Sequence, residues 1–197
     1  MLFVALQTIS LLIAGLMVGN ELAVSAFIHP QLQKLDDKTH IVSAQAFARV
    51  YGTVMPFWYA LTLILTIAIA VLSRQIGTPF FLAAASAVCW LASILLTVTQ
   101  LVPINNQVSD WNLASLPSDW QRLRNQWDRL HKVRVLILIL ALICLTIACL
   151  TTTPCLFTKP LRSATGQASA TRPALSIGDN SLSELYQSLS HFKWECK

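Results

Sequence analysis

The chain has 197 residues, of which 55% are hydrophobic and 12% charged, with a formal net charge of +5 and a mean hydropathy of +0.59. A soluble domain carries about 25% charged residues, so this composition excludes an ordinary water-soluble globule. The basic residues are interleaved with apolar runs, which excludes a nucleic-acid footprint.

The charge deficit is concentrated in four windows, roughly 2–20, 54–73, 79–101 and 135–157. A helix needs about 20 mostly apolar residues to cross a bilayer, and inside a bilayer each backbone amide must be satisfied within its own segment. The expected fold is therefore all-α, a four-helix transmembrane bundle over 1–158 with short extra helices in its two long connections. The alternating short runs of a β-barrel are absent.

The first window contains Gly15, Gly19 and Ala23 at four-residue spacing. Small residues at this spacing let helix backbones approach closely. Packing within the bundle is the expected use, and a homo-oligomer face is the alternative. "AVSA" near residue 25 suits a signal-peptide cleavage site, but no basic region precedes the apolar stretch. The segment is accordingly read as a retained span, ending near Asn20 and Glu21.

"FIHPQL" follows. Pro30 disfavours helical geometry at His29, so the helix is expected to end or kink there. Phe47, Tyr51 and Met55 recur at steps of four, which predicts a helix feeding the second span. "SRQIGTP" is a short connection, so spans two and three form an antiparallel hairpin. The third window ends in "TQLVPINNQVSDWN", where Asn105 and Asn106 either close the open carbonyls of a helix end or reach into a site, each offering both a donor and an acceptor. In the lead-in to the fourth span, Trp120, Arg124, Trp127, His131 and Arg134 fall on a stripe about 80° wide. Arg122, Asp128, Arg129 and Lys132 mostly point elsewhere. The stripe is either an interfacial belt with snorkelling arginines or one wall of a site.

Residues 159–197 change to a polar, flexible tail in which Leu182, Leu185, Leu189 and Phe192 outline a short amphipathic helix. The five cysteines, Cys89, Cys144, Cys149, Cys155 and Cys196, form no CxxC pair and read as apolar fillers. Four spans put both long connections at one pole and both termini at the other. His29 and His131, with Glu21 nearby, then meet at one end of the bundle, and ionisable groups in membrane helices tend to mark function. Lys and Arg are denser in the long connections, which places that pole in the cytoplasm and the protein in the cell membrane.

"FIHPQL" after a glycine-containing first helix, "PINN", and the spacing of Trp127, His131 and Arg134 together resemble the anthrone oxygenase-like family over about residues 5–155. The resemblance implies a small multi-pass membrane protein that uses O2, with no flavin or haem, to convert an anthrone to an anthraquinone. An anthrone carries a doubly activated CH2, and its deprotonation gives an electron-rich enolate able to pass an electron to O2. Such a site needs a base, oxyanion donors and a flat apolar slot. His131 is the expected base, because Arg134 on the same face favours a neutral ring, and His29 is its orienter or a second proton carrier. Asn105, Asn106 and Arg134 are the expected oxyanion donors, and Trp127, Asn20 and Glu21 the substrate-binding residues. No metal or organic cofactor is expected. Besides O2, the expected partners are membrane lipid and a hydrophobic aromatic small molecule. Two other readings stand beside this one. The protein either binds a metal, through His29, His131 and Glu21, or a quinone-like lipid without catalysis, or it is a structural membrane subunit.

Overall fold

The structure, a computed structural model, describes residues 1–157, with side chains described to Thr152. The polar tail and its amphipathic stripe lie outside the described residues. Four long helices account for the fold: α1 (Leu2–Leu32), α2 (Asp37–Leu72) and α3 (Thr78–Asp110), then α4 (Trp120–Phe157). All four are long and apolar enough to cross a membrane, and there is no strand among the described residues.

Between α2 and α3 the chain reverses in five residues. Gly77 adopts φ 62°, ψ −112°, a left-handed backbone that only glycine enters at little cost, and Thr78-Pro79 then opens α3 with a proline in its first turn, where the missing N–H is no loss. At the other pole, Asp36 caps α2 by accepting a hydrogen bond from the Thr39 amide at 3.1 Å. Hydrogen bonding from Thr39, its side chain first and then this amide, holds the exposed Asp36 carboxyl below its ordinary pKa.

The core runs along the bundle axis. α3 and α4 pack most extensively, bringing Ala83, Ser86 and Trp90 against Leu138, Ala141, Leu145 and Ala148, all of them fully buried. Small residues at this seam let the backbones approach closely enough for Ser86 Oγ to donate to the Ala141 carbonyl at 2.7 Å. Thr62 and Thr66, buried on α2, donate to carbonyls one turn back, so neither hydroxyl is left unpaired in an apolar setting. Cys89 and Cys149 pack in this core, as the apolar reading of the cysteines expects. Gly15 and Gly19 do not behave as expected. A Cβ added at either would meet nothing within 4 Å, so these glycines mark no close approach inside the bundle.

Pro30, after the first apolar run, also acts differently from expectation. His29 stays helical (φ −59°, ψ −43°) and the helix continues to Leu32. It does so through a π-turn at Val24–Ile28, closed by the His29 amide donating to the Val24 carbonyl five residues back. The same device recurs in α3, where a π-turn at Thr97–Leu101 precedes Pro103 and the Val102 amide donates to the Thr97 carbonyl. A proline ring clashes with the carbonyl four residues back and supplies no N–H. Widening the preceding turn moves that carbonyl aside, and π-turns of this kind cluster at functional sites. The consequence for "PINN" is direct. α3 runs on to Asp110, so neither Asn105 nor Asn106 closes a helix end. Gln45 of α2 does that work, its amide donating to the carbonyls of Val108 at 2.9 Å and Trp111 at 3.1 Å.

Candidate active site at the polar pole

Where α2 and the second half of α3 separate, the bundle encloses a cavity of about 330 Å³, within the range of small-molecule sites. Its floor and one wall are apolar, from Ala44, Phe47, Met55, Leu63 and Ile94; Phe47, Tyr51 and Met55, the four-step series read from the sequence, all face it. The opposite wall is polar and comes from α1 and α4. Glu21, His29, Asn105, Trp127, His131 and Arg134 line this one cavity. Asn20 and Asn106 do not. Asn20 accepts a hydrogen bond from Tyr51 Oη at 3.2 Å behind the wall, and Asn106 is exposed.

The buried face of α4 is the stripe seen in the sequence. Arg124, Trp127, His131 and Arg134 are each at most 8% exposed, with Trp120 half-buried at its start. Asp128, which the sequence reading pointed elsewhere, is 7% exposed and belongs to the site. It lies four residues after Arg124 and three before His131, so the i, i+4 and i+3 spacing is the signal that would have found it.

Two polar chains meet here. In the first, Asp128 Oδ1 lies 2.6 Å from Nδ1 of His29, and its Oδ2 accepts from Gln33 Nε2 at 2.6 Å. In the second, Glu21 accepts from Arg134 Nη2 at 2.6 Å on one oxygen and from Tyr59 Oη at 3.2 Å on the other. Arg134 also donates to Thr97 Oγ1 at 3.1 Å, which ties the π-turn of α3 to α4. Its guanidinium stands 5.8 Å from the Tyr59 ring. The same Nη2 is 2.8 Å from Nδ1 of His131.

These partners fix the tautomers. A guanidinium nitrogen can only donate, so Nδ1 of His131 accepts, and the neutral ring carries its proton on Nε2. That Nε2 is buried and bonds nothing in the protein. A carboxylate can only accept, so His29 donates Nδ1–H to Asp128, and the neutral ring then carries its lone pair on Nε2. The two imidazoles are stacked at 5.6 Å between centroids and 19° between planes, and both stack on Trp127, at 4.7 and 4.8 Å. One ring thus offers an acceptor and its neighbour a donor, side by side on a flat aromatic support. A metal held by both histidines and Glu21 would compete with the Asp128, Arg134 and Tyr59 bonds just described, and among the described residues no group of three such ligands is arranged to hold a metal ion.

A family model described as anthrone oxygenase matches residues 44–144. The chain belongs to the anthrone oxygenase family. The matched segment contains Asn105, Trp127, Asp128, His131 and Arg134, while Glu21 and His29 precede it. Comparison with curated proteins and with solved structures found no match. Membership agrees with the resemblance read from "PINN" and from the Trp127, His131, Arg134 spacing. It speaks for the family frame, whereas any reaction has to be argued from the cavity.

Proposed function

We propose that this protein is an integral membrane oxygenase that oxidises the activated CH2 of an anthrone-type ring system with O2. The overall change balances as anthrone plus O2 giving anthraquinone plus water. The observation that carries the reading is the pair of stacked imidazoles, one against Asp128 and the other against Arg134, on the polar wall of one cavity.

The division of labour follows from the tautomers these partners fix. His131 has its lone pair engaged by Arg134, so its free nitrogen is a donor and the ring is poorly placed to act as base. The base is His29. Its Nε2 takes a proton from the CH2, and Asp128, accepting from Nδ1, orients the ring and stabilises the imidazolium that forms. Gln33 holds the second oxygen of Asp128 and so keeps the carboxylate in place. Loss of the proton puts negative charge on the ring carbonyl oxygen, where His131 Nε2–H donates, assisted by the amide of Asn105. Donors set in advance toward developing charge are worth most in a site of low dielectric. Trp127 and the apolar wall of α2 hold the ring system flat. The enolate is electron-rich enough to reduce O2 directly, so the proposal has O2 as co-substrate and no organic cofactor or metal. Lipid, as solvent and as the route of a hydrophobic aromatic substrate, is the remaining partner, and the cell membrane the proposed location.

The test is O2 uptake and anthraquinone formation by purified protein with a panel of anthrones and hydroquinones, corrected for spontaneous oxidation. Turnover that survives exhaustive chelation and disappears in His29→Ala is expected. A rate no higher than buffer across the whole panel would overturn the proposal.

A further inference from the structure

Arg124 belongs to the polar wall and takes no part in the reaction above. It is 5% exposed and lines the cavity. Its guanidinium carbon stands 5.0 Å from the centroid of Trp127. Its Nε is buried with no partner, and among the described residues the side chain makes no hydrogen bond and no ion pair. The other buried charges at this pole are engaged: Glu21 with Arg134 and Tyr59, Asp128 with His29 and Gln33. Asp128 is one helical turn away and offsets part of the charge of Arg124. That leaves the buried Nε–H unmet, which is costly, and the terminal nitrogens free to take an acceptor from the cavity. A planar fork of five donors suits a carboxylate or a similar oxyanion.

We infer that the ligand of this cavity carries an anionic oxygen, a carboxylate or phenolate on its ring system, and that Arg124 binds it. The inference rests on the cavity being the substrate site and narrows the substrate to acidic polycyclic aromatics. Seven residues of α4 separate Arg124 from His131, a rise of about 10 Å, comparable with the length of a fused three-ring system. With the acid group on Arg124, one ring edge lies over Trp127 and the reacting carbon reaches the imidazole pair. The cation therefore selects the ligand and fixes which way round it enters.

Binding decides this without turnover. The probes are anthraquinone-2-carboxylate and its methyl ester, followed by tryptophan quenching on the full chain in phosphatidylcholine vesicles. The wild type is expected to bind the acid at least about tenfold more tightly than the ester. Arg124→Met and Arg124→Gln abolish the difference by weakening the acid alone, and Arg124→Lys keeps part of it. Phosphatidylglycerol added to the vesicles leaves acid binding unchanged. Equal binding of acid and ester by the wild type, a preference that survives in Arg124→Met or Arg124→Gln, or displacement of the acid by phosphatidylglycerol would each overturn the inference. The wild-type comparison needs no variant to fold. Acid preference without O2 uptake on any anthrone would sink the oxygenase reading alone, whereas turnover with no acid preference would sink this one alone.

Discussion

At the polar pole both buried carboxylates are engaged, Glu21 by Arg134 and Tyr59 and Asp128 by His29 and Gln33, and these pairings assign the roles. If His29 and Asp128 act as one unit, their losses do not add. His29→Ala is expected to lower the rate of O2 uptake by about 10²–10⁴-fold. Asp128→Asn should lower it by a smaller factor, and the double variant should be no slower than His29→Ala. A double variant slower by the product of the two single effects would show that Asp128 acts elsewhere. Glu21 and Arg134 are 2% and 7% exposed, and removing one partner of a buried pair strands the other's charge. Glu21→Ala is therefore expected to cost about 3–5 kcal/mol in stability, read from reversible unfolding in detergent, while Tyr59→Phe, which removes one neutral donor, costs about 1 kcal/mol. Part of this arrangement was legible beforehand. Helical spacing alone aligned Trp127, His131 and Arg134, and charge in an apolar chain flagged Glu21. Helical spacing could have added Asp128 to the site, but that it meets His29 and Gln33, and that Tyr59 meets Glu21, are contacts between distant segments that no local pattern carries. The tautomers were hidden for the same reason: they depend on which donor faces each ring nitrogen.

Single turns of helix decide whether those atoms meet. The four spans could be read from charge-free windows, since length and apolarity suffice for them, and the reversal at Gly77 from its brevity. What the windows did not show is that the helices run past them into the polar pole. The rule that a residue before proline avoids helical geometry does not hold at His29, which stays helical, while the π-turn at Val24–Ile28 shifts the carbonyls one turn back that the Pro30 ring would meet. The extra residue in that turn sets the rotation of everything after it. Inserting one alanine between Ala26 and Phe27 would turn His29 by about 100° relative to Glu21 and part it from Asp128, although both flanking segments remain apolar and helical. Activity is expected to fall as far as in His29→Ala, with helical content unchanged by circular dichroism. Retention of activity would mean that the turn takes up the insertion and does not determine the register of the site.

Over the whole molecule, the polar wall is closed and the apolar wall is open. Glu21, Trp127, His131 and Arg134 are buried, whereas Gly52, Pro56 and Ala60 of α2 and Val98 and Val102 of α3 line the same cavity and are exposed. The cavity thus opens sideways along the α2–α3 seam, where a spanning bundle faces lipid, and a hydrophobic ring system has no need to pass through water. Gly52 is informative here. A Cβ at this position meets nothing within 4 Å, so no neighbour requires a glycine, and glycine within a helix costs about 0.5–1 kcal/mol relative to alanine. Pro56, four residues on, has no N–H to give the Gly52 carbonyl, so this seam gives up helix stability twice over. The space itself is what both residues preserve. Gly52→Ala should raise stability by up to about 1 kcal/mol and leave the cavity open. Gly52→Phe is expected to fold as well as Gly52→Ala, because its ring has room to enter the opening, yet to weaken binding of a three-ring probe by tenfold or more. Stability and binding would then move in opposite directions on one residue. A Gly52→Phe protein that binds the probe normally would place the entrance elsewhere, and with it the orientation of the ring system against His29 and His131.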